Sequence, residues 1–339
     1  MNPTWNTFLT EKGAILDNSN LHSFDSSESL LVDLSHRGLI KVCGEDAESF
    51  LQNQFTNEIH NISETSHQIS AWCSPKGRII ANFRIFKQDD CYLLSLSSDL
   101  VEHVIKKLQM YVMMSKVTLE DVSDSLAQFG LLGKSAEQTL NKLLSSEDIK
   151  LPNKTSEAAQ YKSSTILKIS DSPTRFEVFS SISDAKEIWE KLSFVSIIGS
   201  SDYWDYFNIQ AGLPQISEAS SEAWIPQMVN FIAINGVDFK KGCYPGQEVV
   251  ARLNYLGKTK RRMYRLLIDT DALPEINEDI ASESDQKAGK ILNAVITPKG
   301  QIEALAILKI AEAENTLSLA SNSSASIKLL ELPYSLEEQ

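Results

Sequence analysis

The chain changes character near residue 251. Up to that point strand-like runs alternate with helical stripes. Beyond it come four strand-like runs, Arg261 to Ile268, Lys290 to Thr297, Ile302 to Ile310 and Ile327 to Leu332, joined by turns such as Pro298-Lys299-Gly300, with no helical pattern. Strands that have no helices to cover them must bury their faces on one another, so residues 251–339 predict a small β-barrel or sandwich. The earlier part reads differently. His67 to Trp72, Ile79 to Phe86 and Cys91 to Leu96 form an antiparallel meander, with Pro75 and Gly77 placed as a β-turn wants them. Leu100, Val101, Val104, Ile105 and Leu108 give one apolar stripe on a helix from about Asp99 to Tyr111, and Val117 to Asp121 follows as a strand. A second series repeats the order: strand Gln128 to Leu132, helix Ser135 to Leu144, strands Ile166 to Ile169 and Phe176 to Phe179 across Ser172-Pro173, helix Asp184 to Leu192, and helix Asp202 to Gln210. The fold class expected is therefore α+β, two modules of antiparallel sheet with helices, followed by an all-β barrel or sandwich.

Several smaller expectations follow. Leu30 to Leu34 and Leu39 to Cys43 read as two strands across the turn Ser35-His36-Arg37-Gly38, and residues 1–28 as a loosely held start with one short helix. Met110, Met113 and Met114 read as core filler rather than a binding surface. Cys43 and Cys91 sit in apolar strand-like runs and read as core packing.

With 339 residues the chain can hold two or three cores. No apolar run approaches the ~20 residues of a membrane helix. The N-terminus lacks the basic start and apolar stretch of a secretion signal. Four cysteines without close pairing, and no His/Cys spacing of the zinc type, point to reduced thiols in a cytoplasm and to no metal site. The net charge of −13 argues against broad nucleic-acid binding. The charge is uneven: residues 240–265 carry +7, from eight Lys or Arg and the single acid Glu248, which leaves −20 for the rest. Such a window can be a solvated strand edge or a seat for an anion.

That window opens on the densest chemistry in the chain, Lys240-Lys241-Gly242-Cys243-Tyr244-Pro245-Gly246-Gln247-Glu248. Lysines within reach favour a thiolate over a thiol. Gly242 and Gly246 allow turn conformations or close approach to a ligand, and Pro245 fixes one torsion. The run reads as a shaped turn that presents Cys243, with Val249-Val250-Ala251 starting a strand or helix. A structural cysteine in a Gly-Pro turn is the plainer alternative.

The string Lys241-Gly242-Cys243-Tyr244, one free position, then Gly246-Gln247-Glu248 resembles the signature of the YgfZ family, folate-binding proteins of tRNA modification that are related to the aminomethyltransferase (T-protein) of glycine cleavage. Ile225-Pro226-Gln227, Phe239-Lys240-Lys241, Asn208 to Pro214, Lys76-Gly77-Arg78, Ser115 to Thr118 and the tail Leu332 to Glu338 extend the resemblance over nearly the whole chain. It implies a first α+β module at 1–121 completed by 200–250, a second at 122–199 and the barrel at 251–339, arranged around a central cavity. It implies a folate cofactor, a tetrahydrofolate derivative. It also implies support of iron–sulfur enzymes such as tRNA methylthiotransferases, and a cytoplasmic location. Cys243 is then the redox or transfer thiol and Lys241 its cation, with Gln247 and Glu248 orienting the turn or a ligand. Trp204 is the family's folate-contacting tryptophan, or else a core residue of its helix beside Phe207. A second family tryptophan falls where this chain has Arg37, which can stack or pair with a carboxylate, or can be a plain turn residue. The T-protein's acidic pair falls where this chain has Ala81 and Asn82, neither a general acid or base. The resemblance therefore favours an accessory protein over a folate-dependent aminomethyl or one-carbon transferase. A non-catalytic module docking an acidic partner on the basic window stays open, and direct tRNA binding is the weakest option given the net charge of −13.

Overall fold

A computed structural model describes residues 1–14, 28–144, 149–257 and 259–336. Lys258 of the basic window and Glu337-Glu338 of the tail lie outside these. The chain divides into two compact units. The first comprises Met1–Leu51, Glu58–Gln68 and Phe83–Trp204, and the second Gln52–Asn57, Ile69–Asn82 and Asp205–Gln339.

Helix α1 (Pro3–Glu11) starts the first unit, capped by Asn2, whose side chain accepts from the backbone N–H of Thr4 and Trp5. It is not loosely held. Trp5 is wholly buried and its indole N–H donates to Asp33 Oδ1 at 2.9 Å. The next elements are β1 (Leu30–Asp33), β2 (Arg37–Cys43), α2 (Ala47–Gln52), β3 (His67–Cys73), β4 (Ile79–Gln88), β5 (Cys91–Ser97), α3 (Val101–Val112) and β6 (Thr118–Asp121). Then follow β7 (Leu126–Leu132), α4 (Ala136–Leu144), β8 (Ala158–Tyr161), β9 (Ser164–Asp171), β10 (Thr174–Ser181), α5 (Ile182–Ser193), β11 (Ile197–Gly199) and α6 (Asp202–Gln210).

These strands make a five-stranded sheet, β3-β4-β5-β2-β6, and a six-stranded sheet, β11-β1-β7-β10-β9-β8. β1 and β2 are not a hairpin. β1 pairs with β7 and β11, whereas β2 pairs with β5 and β6, so the turn between them passes the chain from one sheet to the other. The six-stranded sheet has unlike faces, as strand alternation dictates. Leu31, Phe129, Leu131, Phe176 and Val178 bury one face under α1, α4 and α5, where Trp5, Phe129 and Trp189 meet. The register that sets Glu177 opposite Gly130 and Phe179 opposite Gln128 turns Gln128, Arg175 and Glu177 to the other face.

Two further sequence expectations in this unit are overturned. Met110, Met113 and Met114 are 65, 87 and 96% exposed, because α3 ends at Val112 and the stripe that packs is Val101, Val104 and Leu108. Cys43 and Cys91 are not separate core thiols but a disulfide between β2 and β5, adjacent in the sheet.

In the second unit the signature turn leads into α7 (Gln247–Leu256), so Val249-Val250-Ala251 starts a helix rather than a strand. The barrel strands are β12 (Arg261–Ile268), β13 (Asp279–Ser282), β14 (Gly289–Ile296), β15 (Ile302–Lys309), β16 (Leu317–Leu319) and β17 (Ser326–Leu330). They close in the order β12-β15-β14-β13-β16-β17 around Leu266, Ile280, Ile291, Ala304, Ala306 and Leu308. Closure removes every free sheet edge. No helix among the described residues is long and apolar enough to cross a membrane.

Candidate functional site

The second unit holds the signature turn with three fastenings. First, Lys241 is nearly buried, and its Nζ donates to the carbonyls of Gln52, Phe55 and Asn57 at 2.7, 2.5 and 3.1 Å. An ammonium has three donors and no acceptor, so these bonds use its full capacity. Its charge also lies over the Tyr244 ring, 5.4 Å from the centroid. Second, Gly246 has φ +81°, and a Cβ there would come 2.4 Å from the Ser74 carbonyl and 2.7 Å from the Gly77 Cα. Only glycine suits both the left-handed conformation and that backbone contact. Third, Tyr244 is buried, and burial together with the nearby Cys73 pushes its phenol above the usual range.

Cys243 lies between these fastenings, exposed, with a free thiol. Gly242 beside it is exposed, and a Cβ there would meet nothing within 4 Å. The Gln247 amide reaches back to the Gly242 carbonyl at 3.4 Å, and Glu248 is exposed in the first turn of α7, where the helix dipole favours an acid. The other free thiol, Cys73, is fully buried, and desolvation pushes it up to about 12, which makes it inert near neutrality. The basic window is not one continuous patch: besides Lys241, Arg265 is committed to Glu303 at 2.7 Å. The place of the T-protein's acidic pair is structural. Ala81 is buried, and Asn82 donates to Pro214 O and accepts from Ile216 N–H at 2.7 and 2.8 Å.

Trp204 and Arg37 belong to the first unit. The Trp204 ring lies flat enough on Gly130 that a Cβ there would be 2.4 Å from the indole, and the Arg175 guanidinium covers it at 5.1 Å. The indole is 1% exposed. Arg37 opens β2, half-buried, with its Nε buried and unpartnered.

Sequence reading missed the groups around them. Glu177 is buried with Oε1 unpartnered, and its Oε2 is 3.7 Å from Arg84 Nε. Burial pulls Arg84 down to about 10, with Glu177 opposing the shift and Arg37 adding to it. Arg84 also donates to His67 Nδ1 at 3.1 Å, while His67 Nε2 donates to Lys168 O at 3.0 Å, an arrangement that needs the neutral ring. Desolvation, then Arg84, push His67 down to about 3. Gln128 adds a third buried orphan, Oε1. One signal was present in the chain: Arg175 and Glu177 are charged residues at alternate positions of a strand, interleaved with the apolar Phe176, Val178 and Phe179.

No group of His, Cys, Asp or Glu among the described residues is placed to hold a metal ion. A family model, the GCVT N-terminal domain, matches residues 23–195. The tRNA-modifying protein YgfZ of Escherichia coli (strain SMS-3-5 / SECEC) is 30% identical over 311 residues, 91% of this chain and 94% of that protein. The same protein of Escherichia coli O17:K52:H18 (strain UMN026 / ExPEC) matches to the same extent. Among solved structures, the glycine cleavage system aminomethyltransferase T from Bartonella henselae superposes with a TM-score of 0.74 at 14% identity, over 100% of this chain and 99% of that one, which shows a shared fold. By its signature turn, its closed C-terminal barrel and these relatives, the chain belongs to the YgfZ family, on the fold of the glycine-cleavage T-protein.

Proposed function

We propose that this protein is a folate-binding accessory factor that supports iron–sulfur enzymes, tRNA methylthiotransferases among them, and so acts on tRNA modification indirectly. The observation that carries the folate part is the row of buried, unpartnered polar atoms in the first unit: a donor on Arg37 and acceptors on Glu177 and Gln128. Each such orphan costs ~1–3 kcal/mol unless something completes it. A pterin is planar, with N–H donors and ring-nitrogen acceptors along its edges, and so offers both complements. In this reading Glu177 and Gln128 accept from the pterin edge, Arg37 donates to it, and Trp204 forms the wall with Arg175 and the Gly130 backbone. Bound folate would supply a one-carbon carrier or a redox-active ring.

Cys243 is the group that meets the partner. Its turn is fastened by Lys241, Tyr244 and Gly246, which leaves the sulfur outside. Lys241 holds the turn in place with its charge still close to the thiol in sequence. Aminomethyl transfer is the weaker reading, since Ala81 is apolar and the Asn82 amide is used at both ends.

Calorimetric titration with a reduced folate tests the cofactor. Native protein should bind, and Glu177→Gln should weaken binding at least tenfold. No binding by correctly folded native protein would sink the folate assignment. For the thiol, Cys243→Ser should fail to restore tRNA methylthiolation in a strain lacking the native protein, and full restoration removes the sulfur from the mechanism.

A further inference from the structure

One end of the first unit carries a cleft that the folate reading leaves unused. β2 and β5 run antiparallel, with Arg37 opposite Ser97 through to Val42 opposite Tyr92. The next pair in that register is Cys43 and Cys91, bonded, with Cα atoms 4.6 Å apart. A narrow antiparallel pair has that spacing in any case, so the ladder keeps the two sulfurs together whether or not they are bonded. Side chains two apart on a strand share a face, which puts Lys41 and Leu93 next to Cys43 and Cys91 on one surface. There Lys41 and Leu93 line a cavity of about 210 Å³ together with Gln88, Asp89, Ser125, Ser163 and Ser181, the Ser163 hydroxyl being committed to Ser181 Oγ and Asp184 Oδ2 at 2.7 and 2.6 Å. Lys41 is half-buried and forms no ion pair with any described residue; Glu120, opposite it in the ladder, is exposed. Cys43 is half-exposed, while Cys91 is nearly buried.

A cation, a carboxylate and a serine hydroxyl lining one cavity, with a disulfide on the same face, match one class of ligand. We propose that this cleft is a thiol–disulfide exchange site for a low-molecular-weight thiol bearing an α-amino carboxylate. Lys41 and the Ser125 hydroxyl take its carboxylate, and Asp89 takes its ammonium. Its thiolate attacks the more accessible sulfur, Cys43 Sγ. The new S–S bond forms as the Cys43–Cys91 bond breaks, and the electron pair leaves on Cys91 Sγ, which takes up a proton. A second thiolate attacks the small-molecule sulfur of this mixed disulfide and releases Cys43, which is protonated in turn. The protein disulfide is thereby reduced to two thiols, and two small thiols are oxidised to their own disulfide. This site does not depend on Cys243 or on folate.

Free cysteine and 2-mercaptoethanol are the probes, the second having no charged group for Lys41 or Asp89. Opening of the Cys43–Cys91 bond in the full-length native protein is followed by alkylation and mass spectrometry, with each rate divided by that thiol's rate on a small model disulfide. Cysteine should show a preference over 2-mercaptoethanol that falls at least fivefold in Lys41→Met, with the 2-mercaptoethanol rate unchanged. Alanine in excess should slow the cysteine reaction and leave the other alone. If Lys41→Met does not fold, Asp89→Asn serves, since Asp89 sits at φ +53° in an exposed turn where asparagine is also tolerated. Equal preference in native and variant protein, no competition by alanine, or a bond inert to both thiols would each overturn the proposal.

Discussion

The two polar regions of this protein treat their charged groups in opposite ways. In the second unit, the Lys241 ammonium is surrounded by three carbonyls and the turn is locked backbone to backbone through Gly246, while the Cys243 sulfur stays exposed. In the first unit, Glu177 and Gln128 are buried and Arg37 half-buried, each with a buried polar atom left unpartnered. The first arrangement satisfies its charge fully, although the hydroxyls of Tyr244 and Ser74 beside it are buried without a partner. The second leaves atoms of the charged groups themselves unpartnered, and folded proteins keep such buried orphans chiefly where a ligand or function compensates them. Presentation needs the unbound protein to be stable. Recognition tolerates some instability in it.

The largest expected effect is at Lys241. Lys241→Met removes three charge-assisted hydrogen bonds and leaves three carbonyls facing hydrocarbon, a loss of ~3–5 kcal/mol by denaturant unfolding. A loss below ~1 kcal/mol would mean the turn is held some other way. Gly246→Ala should cost ~3 kcal/mol through its left-handed backbone and its contact with Ser74. Gly242→Ala, with open space around it, should change stability by less than ~0.5 kcal/mol. Similar losses at the two glycines would break the picture of a turn fastened at Lys241, Tyr244 and Gly246 and open at Gly242.

On the other side of the comparison, Glu177→Gln should lower folate affinity about tenfold to a hundredfold while leaving the melting temperature of the free protein unchanged or raised. A large drop in melting temperature would make Glu177 a structural ion-pair partner instead. The smallest effect concerns pH. His67 is held at about 3 in the folded state against 6.5 when unfolded, so the unfolded chain takes up the proton first. Stability should be undiminished above pH 6.5 and fall as pH drops from there towards 3, with a slope of up to ~1.4 kcal/mol per pH unit for this one group. His67→Gln should flatten that slope, as read from urea midpoints at several pH values.

Much of this was readable in advance. The meander of β3, β4 and β5, the helices α3, α4 and α5, the β9–β10 hairpin and the closed barrel follow from alternation, 3.6-residue stripes and turn residues, which are local. The methionines of α3 were misread because a stripe says which face packs, not where the helix stops; α3 ends at Val112 and leaves Met113 and Met114 outside. The disulfide was missed because 48 residues separate its cysteines, and only the β2–β5 register makes them neighbours. Glu177 and Arg84 were missed for the same kind of reason. A charged residue in a strand looks like a solvent-facing position until a second sheet is known to cover it.

By itself the sequence determined the kinds of element, the all-β end of the chain and the residues of the signature turn, because each depends on neighbours a few positions apart. Tertiary structure alone decided that Lys241 spends its donors on carbonyls from residues 52–57, that Cys43 meets Cys91, and that Arg37, Arg84 and Glu177 share one buried row. Those outcomes depend on which distant strands pair and in which register. A hydrogen bond or a buried charge acts over a few ångströms of space, however many residues of chain lie between its partners.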